Sequence, residues 1–207
     1  MSYHRGVAGA DETSIREAHQ RGDFKVAAEQ GLQLYGAEIR SFLAARLLDD
    51  TDTRDVFSEL TEDLWRGIAN FEWRSSFRTW IYTLARHAAL RFERKPVNQQ
   101  RRRERLSQIN DPIVVERSQT RPYLRTDIKD AFAALRASLT PDEQSLLTLR
   151  IDRDLPWDEI AQIIYDDDER DPAKLQRHAT NLRQRFRQLK SRIKEWAQSE
   201  GLLDDER

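Results

Sequence analysis

Apolar residues recur at intervals of three and four along most of this chain, which is the spacing of one face of an α-helix. The first run is short: the spacing of Ser14 and Glu17 predicts a capping box at its start, and Gly22 is expected to end it. Asp23 precedes a second run, which continues to Leu43. The pattern therefore predicts two helices in this part of the chain and no strand.

Two further runs follow. One places several apolar side chains on a single helix face, namely Val56, Leu60, Leu64, Trp65 and Ile68. The other begins after a serine cap, Ser75 or Ser76, and stops at Pro96, because proline cannot continue a helix. Beyond that proline the periodicity fails. We therefore predict a flexible linker over residues 96–125, after a first helical domain over residues 1–95.

The second predicted domain, residues 126–207, begins with a helix over about residues 126–139. Thr140-Pro141 starts the next helix with an N-cap and a proline at its first position. A short helix follows from Pro156-Trp157, and Asp171-Pro172 starts the last one. That last helix has a continuous apolar stripe, formed by Leu175, Ala179, Leu182, Phe186, Leu189, Ile193 and Trp196. The predicted fold class is all-α, with two small helical domains.

Composition excludes several classes of protein. The chain has no cysteine, which excludes disulfides and thiolate metal sites. Its four histidines are scattered, and it has no glycine-rich phosphate loop, so we expect neither an enzyme nor a cofactor. No apolar run reaches the roughly 20 residues that cross a bilayer, and the N-terminus lacks an apolar signal-peptide core. We therefore expect a cytoplasmic protein without membrane insertion.

Basic residues concentrate in the last helix, although the net charge of the chain is only −1. Between Ala173 and Gln198, eight lysines and arginines stand against Glu195 alone. Such segregation is typical of a surface for a polyanion, and Arg, Lys, Asn and Gln side chains reach base edges and phosphates. A long helix that packs on another protein would have the same stripe, so this helix alone leaves both interpretations open.

A short helix centred on Glu159-Ile160-Ala161, a turn and a basic amphipathic helix form a helix-turn-helix arrangement. With Leu139-Thr140-Pro141 and Asn181-Leu182-Arg183-Gln184-Arg185-Phe186, this part resembles region 4 of the sigma-70 family, specifically its extracytoplasmic-function (ECF) group. The resemblance implies contacts to the −35 promoter element by Lys174, Arg177, Asn181, Arg183, Arg185 and Arg187. The turn is roughly eleven residues longer than the family's, which corresponds to about three helical turns. Base reading therefore begins near Lys174 or near Asn181, and we favour Asn181.

Residues 52–95 resemble region 2 of the same family. Asp52-Thr53-Arg54-Asp55-Val56 is similar to the helix that docks on polymerase, which implies polymerase contacts by Asp52, Asp55 and Glu59. The string from Ser76 to Arg86 (SFRTWIYTLAR) is similar to the helix that melts and holds the −10 element.

Opening a duplex without ATP requires a loop, aromatic platforms and cations that trap flipped bases and hold one strand. Together with the resemblance, this requirement assigns −10 binding to Asn70, Phe71, Trp73, Arg74, Arg78, Arg86, Arg91 and Arg94. Phe77 and Trp80 fall on the apolar face and are expected in the core, whereas Trp73, flanked by polar residues, is expected to be exposed.

The two resemblances, in the family's order, imply an alternative sigma factor that binds core RNA polymerase and promoter DNA and initiates transcription. The alternative is a helix-turn-helix regulator that acts on duplex DNA without polymerase, but such a protein needs no docking helix or strand-trapping loop. The family commonly works under an anti-sigma factor. A Ser/Thr kinase is the other regulator that the resemblance implies, because Thr61 stands where the family commonly has a bulky apolar residue.

Overall fold

The computed structural model describes residues 12–110, 135, 138–165 and 171–199, and every regular element in these ranges is helical. The first group of helices comprises α1 (Thr13–Gln20), α2 (Phe24–Leu47), α3 (Asp50–Gly67), α4 (Phe77–Arg94) and α5 (Pro96–Asn110), with a 3₁₀ turn at Ile68–Asn70. The second group comprises α6 (Pro141–Leu147), a π-helical turn at Thr148–Asp152, α7 (Trp157–Tyr165) and α8 (Pro172–Ser199). The all-α prediction is confirmed. None of the described helices has the length and apolar character of a membrane span.

Three helix starts lie where the local sequence predicts them. Thr140 and Glu143 form a capping box, in which each side chain accepts the backbone N–H of the other. Asp171 caps α8 by accepting the N–H of Ala173 at 2.9 Å. Ser76, rather than Ser75, caps α4 and accepts the N–H of Thr79 at 3.0 Å. These signals are read correctly because both partners lie within a few residues of each other.

The predicted capping box at Ser14 is wrong. Helix α1 begins at Thr13, after Glu12, and no side chain caps it. The Glu12 carboxylate instead binds the start of α4, a long-range contact that local spacing does not reveal. Asp23 does stand at the N-cap position of α2, but its carboxylate pairs with Arg21 at 3.2 Å instead of capping the helix.

Most of the predicted core is buried. Val56, Leu60, Leu64 and Ile68 have exposures of 1% or less, but Trp65 is 40% exposed and was wrongly assigned to their face. In α8 the stripe is confirmed: Ala179, Leu182, Phe186 and Leu189 are buried, and Leu175, Ile193 and Trp196 are half-buried. Buried residues of the first and second groups form one continuous apolar cluster, in which α6 packs on α2 and α7 packs on α4.

Helix α5 occupies the first part of the segment that was predicted to be a linker, so the expectation of irregular structure is wrong for residues 96–110. Pro96 is tolerated because it stands at the helix start, where a backbone N–H would have no carbonyl acceptor within the helix. Arg105 holds the helix through ion pairs to Asp49 and Asp52 at 3.3 and 2.6 Å. Ionic contacts have no apolar period, which is why the pattern missed this helix. The rest of the predicted linker, and most of the helix predicted over residues 126–139, lie outside the described residues. The domain boundaries therefore remain predictions.

Candidate nucleic-acid interface

Helix α3 carries the acidic residues predicted to meet polymerase, and they do not share one exposed face. Asp52 is only 5% exposed, and its carboxylate accepts a hydrogen bond from Arg105 at 2.6 Å. Asp55 is exposed, and Glu59 is half-buried beside Lys95 at 3.3 Å. Asp55 and Glu59 are one helical turn apart and form the accessible acidic pair. The Asp49 carboxylate caps α3 by accepting the backbone N–H of Asp52 at 2.8 Å, and this hydrogen bond is the main cause that lowers the pKa of Asp49.

The segment 70–76, which we call the trapping loop, connects the 3₁₀ turn after α3 to α4. Phe71 is 7% exposed and stacks on Trp80, with ring centroids 4.5 Å apart. Phe77 is fully buried and Trp80 is half-buried, which agrees with their expected place in the core. Asn70 and Arg74 are exposed, and Arg74 pairs with Glu72.

Trp73 was expected to be exposed, and this expectation is wrong because the indole is half-buried. Its N–H donates to His19 Nδ1 at 3.3 Å, and its ring lies 4.9 Å from Phe71. The backbone of Trp73 has φ +56°, a left-handed conformation that surrounding contacts must hold in a residue other than glycine. The polar flanks of Trp73 in the sequence suggested solvent, but the indole packs under α1.

The four cations predicted on α4 divide into two pairs. Arg78 and Arg86 have side chains only 12% and 13% exposed. Arg78 binds Glu38 at 2.5 Å, and Arg86 lies 4.0 Å from Asp142. Arg91 and Arg94 are exposed, and Arg91 pairs with Asp63 at the surface. The exposed cationic surface of α4 is therefore its C-terminal half.

The second group of helices covers the N-terminal half of α4. Thr79 donates to Glu159 of α7 at 3.0 Å, and Arg78 reaches the carbonyl of Arg153 at 3.5 Å. Tyr82 is fully buried beneath and donates to Glu38 at 2.7 Å; its burial is the main cause that raises its pKa.

Arg46 joins the two groups, a role that was not predicted from the sequence. Its guanidinium is 1% exposed and binds both carboxylate oxygens of Glu93, at 2.9 and 2.8 Å. It also donates to Asp142, to Ser145 and to the carbonyl of Pro141, all on α6. A signal was available, because Arg46 follows Phe42 and Leu43 at helical spacing on the apolar face of α2.

Helix α8 is continuous from Pro172 to Ser199 and therefore contains both proposed starts of base reading, near Lys174 and near Asn181. Arg177, Asn181 and Arg185 are exposed and Lys174 is half-buried; their spacings of three, four and four place them along one face. Arg183 lies elsewhere, half-buried with its guanidinium 5.9 Å from the Trp157 ring. Arg187 is exposed away from the shared face. The structure thus places four of the six predicted −35 residues on one solvent-facing strip, away from the apolar stripe that packs on α7.

Two comparisons with known proteins agree with these features. Residues 32–99, which contain most of α2 and all of α3 and α4, match the family model of Sigma-70 region 2. The chain is also 29% identical, over 131 residues, to the RNA polymerase sigma factor YlaC of Bacillus subtilis (strain 168). That alignment covers 63% of this chain and 75% of the Bacillus protein.

Proposed function

We propose that this chain, a member of the sigma-70 family of RNA polymerase sigma factors (ECF group), brings core polymerase to promoters through −10 and −35 contacts. The observation that carries the proposal is the region 2 match over α3 and α4, followed in the chain by a helical unit that ends in a basic, solvent-facing strip. The proposed partners are core RNA polymerase and promoter DNA, which places the chain in the cytoplasm. It acts by binding, without chemistry of its own. Run-off transcription with core polymerase on a promoter library tests this function directly.

In this conformation the surface of α4 is only partly open to DNA. Arg91 and Arg94 are exposed, whereas Arg78 and Arg86 lie beneath α6 and α7. Since Arg78 is already engaged with Glu38, DNA has to replace that carboxylate to use it. We infer that the second group of helices separates from α4 before the full −10 surface forms.

Polymerase docking is expected to depend on Asp55 and Glu59. Replacing both with alanine should weaken core-polymerase binding about tenfold or more, because charge-assisted contacts at an interface would be lost. Asp52→Ala should instead leave Arg105 without its closest partner and lower the stability of the α3–α5 contact. Binding to fluorescently labelled core polymerase measures the dissociation constants.

A matched control for the docking variant is Glu17→Ala with Glu29→Ala. Both residues are exposed, on α1 and α2, and their loss removes the same net charge. If the Asp55/Glu59 variant binds like this control, the docking surface lies elsewhere.

Control by an anti-sigma factor or by a kinase at Thr61 is the remaining part of the proposal. Thr61 is half-buried, and its hydroxyl donates to the carbonyl of Phe57 at 2.9 Å. A phosphate there would add about −1.5 to −2 charges to α3 and would break this hydrogen bond. The hydrogen bond to Phe57 is therefore enough to account for a threonine at this position. We expect an anti-sigma partner, and not a kinase, to be the regulator.

Holoenzyme formed with the Thr61→Ala variant is expected to transcribe at the wild-type rate. The substitution should change the free energy of unfolding by no more than about 0.5 kcal/mol, as for a partly exposed position. Mass spectrometry of the protein from its native cell provides the second measurement. Stoichiometric phosphate on Thr61, with an inactive alanine variant, would assign the control to a kinase instead.

A further inference from the structure

Helix α1 precedes the residues matched by the region 2 model, yet one of its faces points at the trapping loop. Glu12, at its N-cap, and Arg16 and His19 follow one another at intervals of four and three residues, which places them on the same face. Ile15 and Ala18 lie beside this face and are 1% and 0% exposed. An isolated helix of eight residues is only marginally stable in water, so tertiary contacts must hold α1 in place.

Glu12 binds the start of α4. One carboxylate oxygen accepts the N–H of Phe77 at 2.8 Å, and the other accepts the N–H of Arg78 at 2.9 Å. With Ser76 accepting from Thr79, the first three amides of α4 all have partners. A carboxylate is favoured at this position because the positive end of the helix dipole lies there.

Tyr35 fixes the Glu12 carboxylate from the other side. Its hydroxyl donates to Glu12 at 2.9 Å, and its ring stacks on Phe77. Burial, followed by the hydrogen bond to Glu12, raises the pKa of Tyr35, so the hydroxyl remains a donor at neutral pH. Glu12 thus joins α1, α2 and the first turn of α4 at a single carboxylate.

His19 holds the other end of the loop. Its Nε2 lies 2.8 Å from the carbonyl of Ile68 and therefore carries the proton, which leaves Nδ1 to accept the indole N–H of Trp73 at 3.3 Å. Only the neutral ring with this tautomer makes both bonds. The guanidinium of Arg16 lies 4.4 Å from the centre of the Trp73 ring, within range of a cation–π contact. These contacts hold Trp73 in its left-handed backbone conformation.

We infer that α1 fixes the conformation of the trapping loop that strand opening requires, with Glu12 and His19 as positioning residues. The inference rests on the proposed function, since it concerns the same −10 contacts. Neither side chain needs to touch DNA. Glu12 fixes where α4 begins and His19 fixes the Trp73 indole, so the pair determines the shape that a flipped base would meet.

The test uses polymerase holoenzyme formed with the full chain and a promoter that carries 2-aminopurine in its −10 element. The fluorescence of this base rises when it leaves the stack, so it reports strand opening separately from binding. Glu12→Gln replaces one accepting oxygen with an NH₂ group, and His19→Ala removes both ring contacts. Each variant is expected to bind core polymerase and duplex promoter like the wild type but to open the −10 element about tenfold more slowly.

Two further variants separate positioning from folding. Glu17→Gln makes the same chemical change at an exposed site on α1 and should open DNA at the wild-type rate. His19→Gln offers an amide N–H to Ile68 and an oxygen to Trp73, and should recover most of the rate lost in His19→Ala.

Opening at the wild-type rate by Glu12→Gln and His19→Ala would overturn the inference. So would equal losses in core-polymerase binding and in opening, with a lowered melting temperature, because that result describes a purely structural helix. A wild-type holoenzyme that binds the promoter but never raises the fluorescence would overturn the proposed function itself.

Discussion

Replacing Arg46 with alanine is expected to lower the free energy of unfolding by about 3–5 kcal/mol, because it breaks a buried ion pair from one side. The guanidinium is 1% exposed, and the truncation would leave Glu93 without the cation that binds both of its carboxylate oxygens. Ser145 and the carbonyl of Pro141 would each lose a donor as well. Urea unfolding followed by circular dichroism measures the change.

The matched control is Arg40→Ala, an exposed arginine on the same helix, which should change the stability by no more than about 0.5 kcal/mol. If Arg46→Ala loses less than about 1 kcal/mol, the network contributes little net stability.

A second variant of the same network tests the contact between the two groups of helices separately from the stability of the first group. Asp142→Asn with Ser145→Ala removes side-chain partners on α6 while the Arg46–Glu93 pair remains. This variant should lose only about 1–3 kcal/mol, the scale of one or two hydrogen bonds to a charged group. If the two groups must separate before Arg78 and Arg86 reach DNA, the same variant should bind −10 single-stranded DNA more tightly than the wild type. Weaker or equal binding would mean that the covered surface does not limit DNA access.

Local signals in the sequence predicted the helices well. Periodic burial along α2, α3, α4 and α8 follows from their apolar spacing, and the caps at Thr140 and Asp171 have partners within three residues. Helix α5 was missed because its described contacts to the rest of the first group include ion pairs from Arg105 to Asp49 and Asp52, and such contacts give no apolar period in the sequence.

The candidate site was harder to predict, because its geometry depends on partners far away in the chain. Nothing near Asp52 indicates that Arg105 would bury it, and nothing near Trp73 indicates His19. As an arginine, Arg78 was expected to face solvent or to contact DNA, whereas Glu38 on α2 binds it in this conformation. Charge and aromatic patterns therefore single out α3, α4 and α8 as candidate elements, but only the tertiary contacts distinguish accessible side chains from engaged ones.

The second large effect is expected on α8, where single substitutions should weaken promoter binding by about 1–3 kcal/mol, or roughly fivefold to more than a hundredfold. Arg177, Asn181 and Arg185 are exposed along one face, with Lys174 half-buried at its start. A side chain that reads a base should relax the preference at one position of the −35 element when it is removed. A phosphate contact should weaken all sequences alike and reduce the slope of log affinity against log salt by about one.

We expect Asn181→Ala and Arg185→Ala to change the base preference, and Lys174→Ala and Arg177→Ala to weaken all sequences alike. The reason is that Phe186 packs on Trp157 at the start of α7 and Leu182 is buried, which braces the turn from Asn181 to Arg185. Lys174 and Arg177 instead precede the contact of His178 with Tyr165 at the end of α7. Lys194→Ala removes one charge from a distant, exposed site on the same helix and serves as the control. Binding of each variant to a library of −35 sequences at two salt concentrations separates the two kinds of contact. If Lys174→Ala and Arg177→Ala alter the preference while Asn181→Ala and Arg185→Ala do not, the helix enters the groove about two turns earlier than we propose.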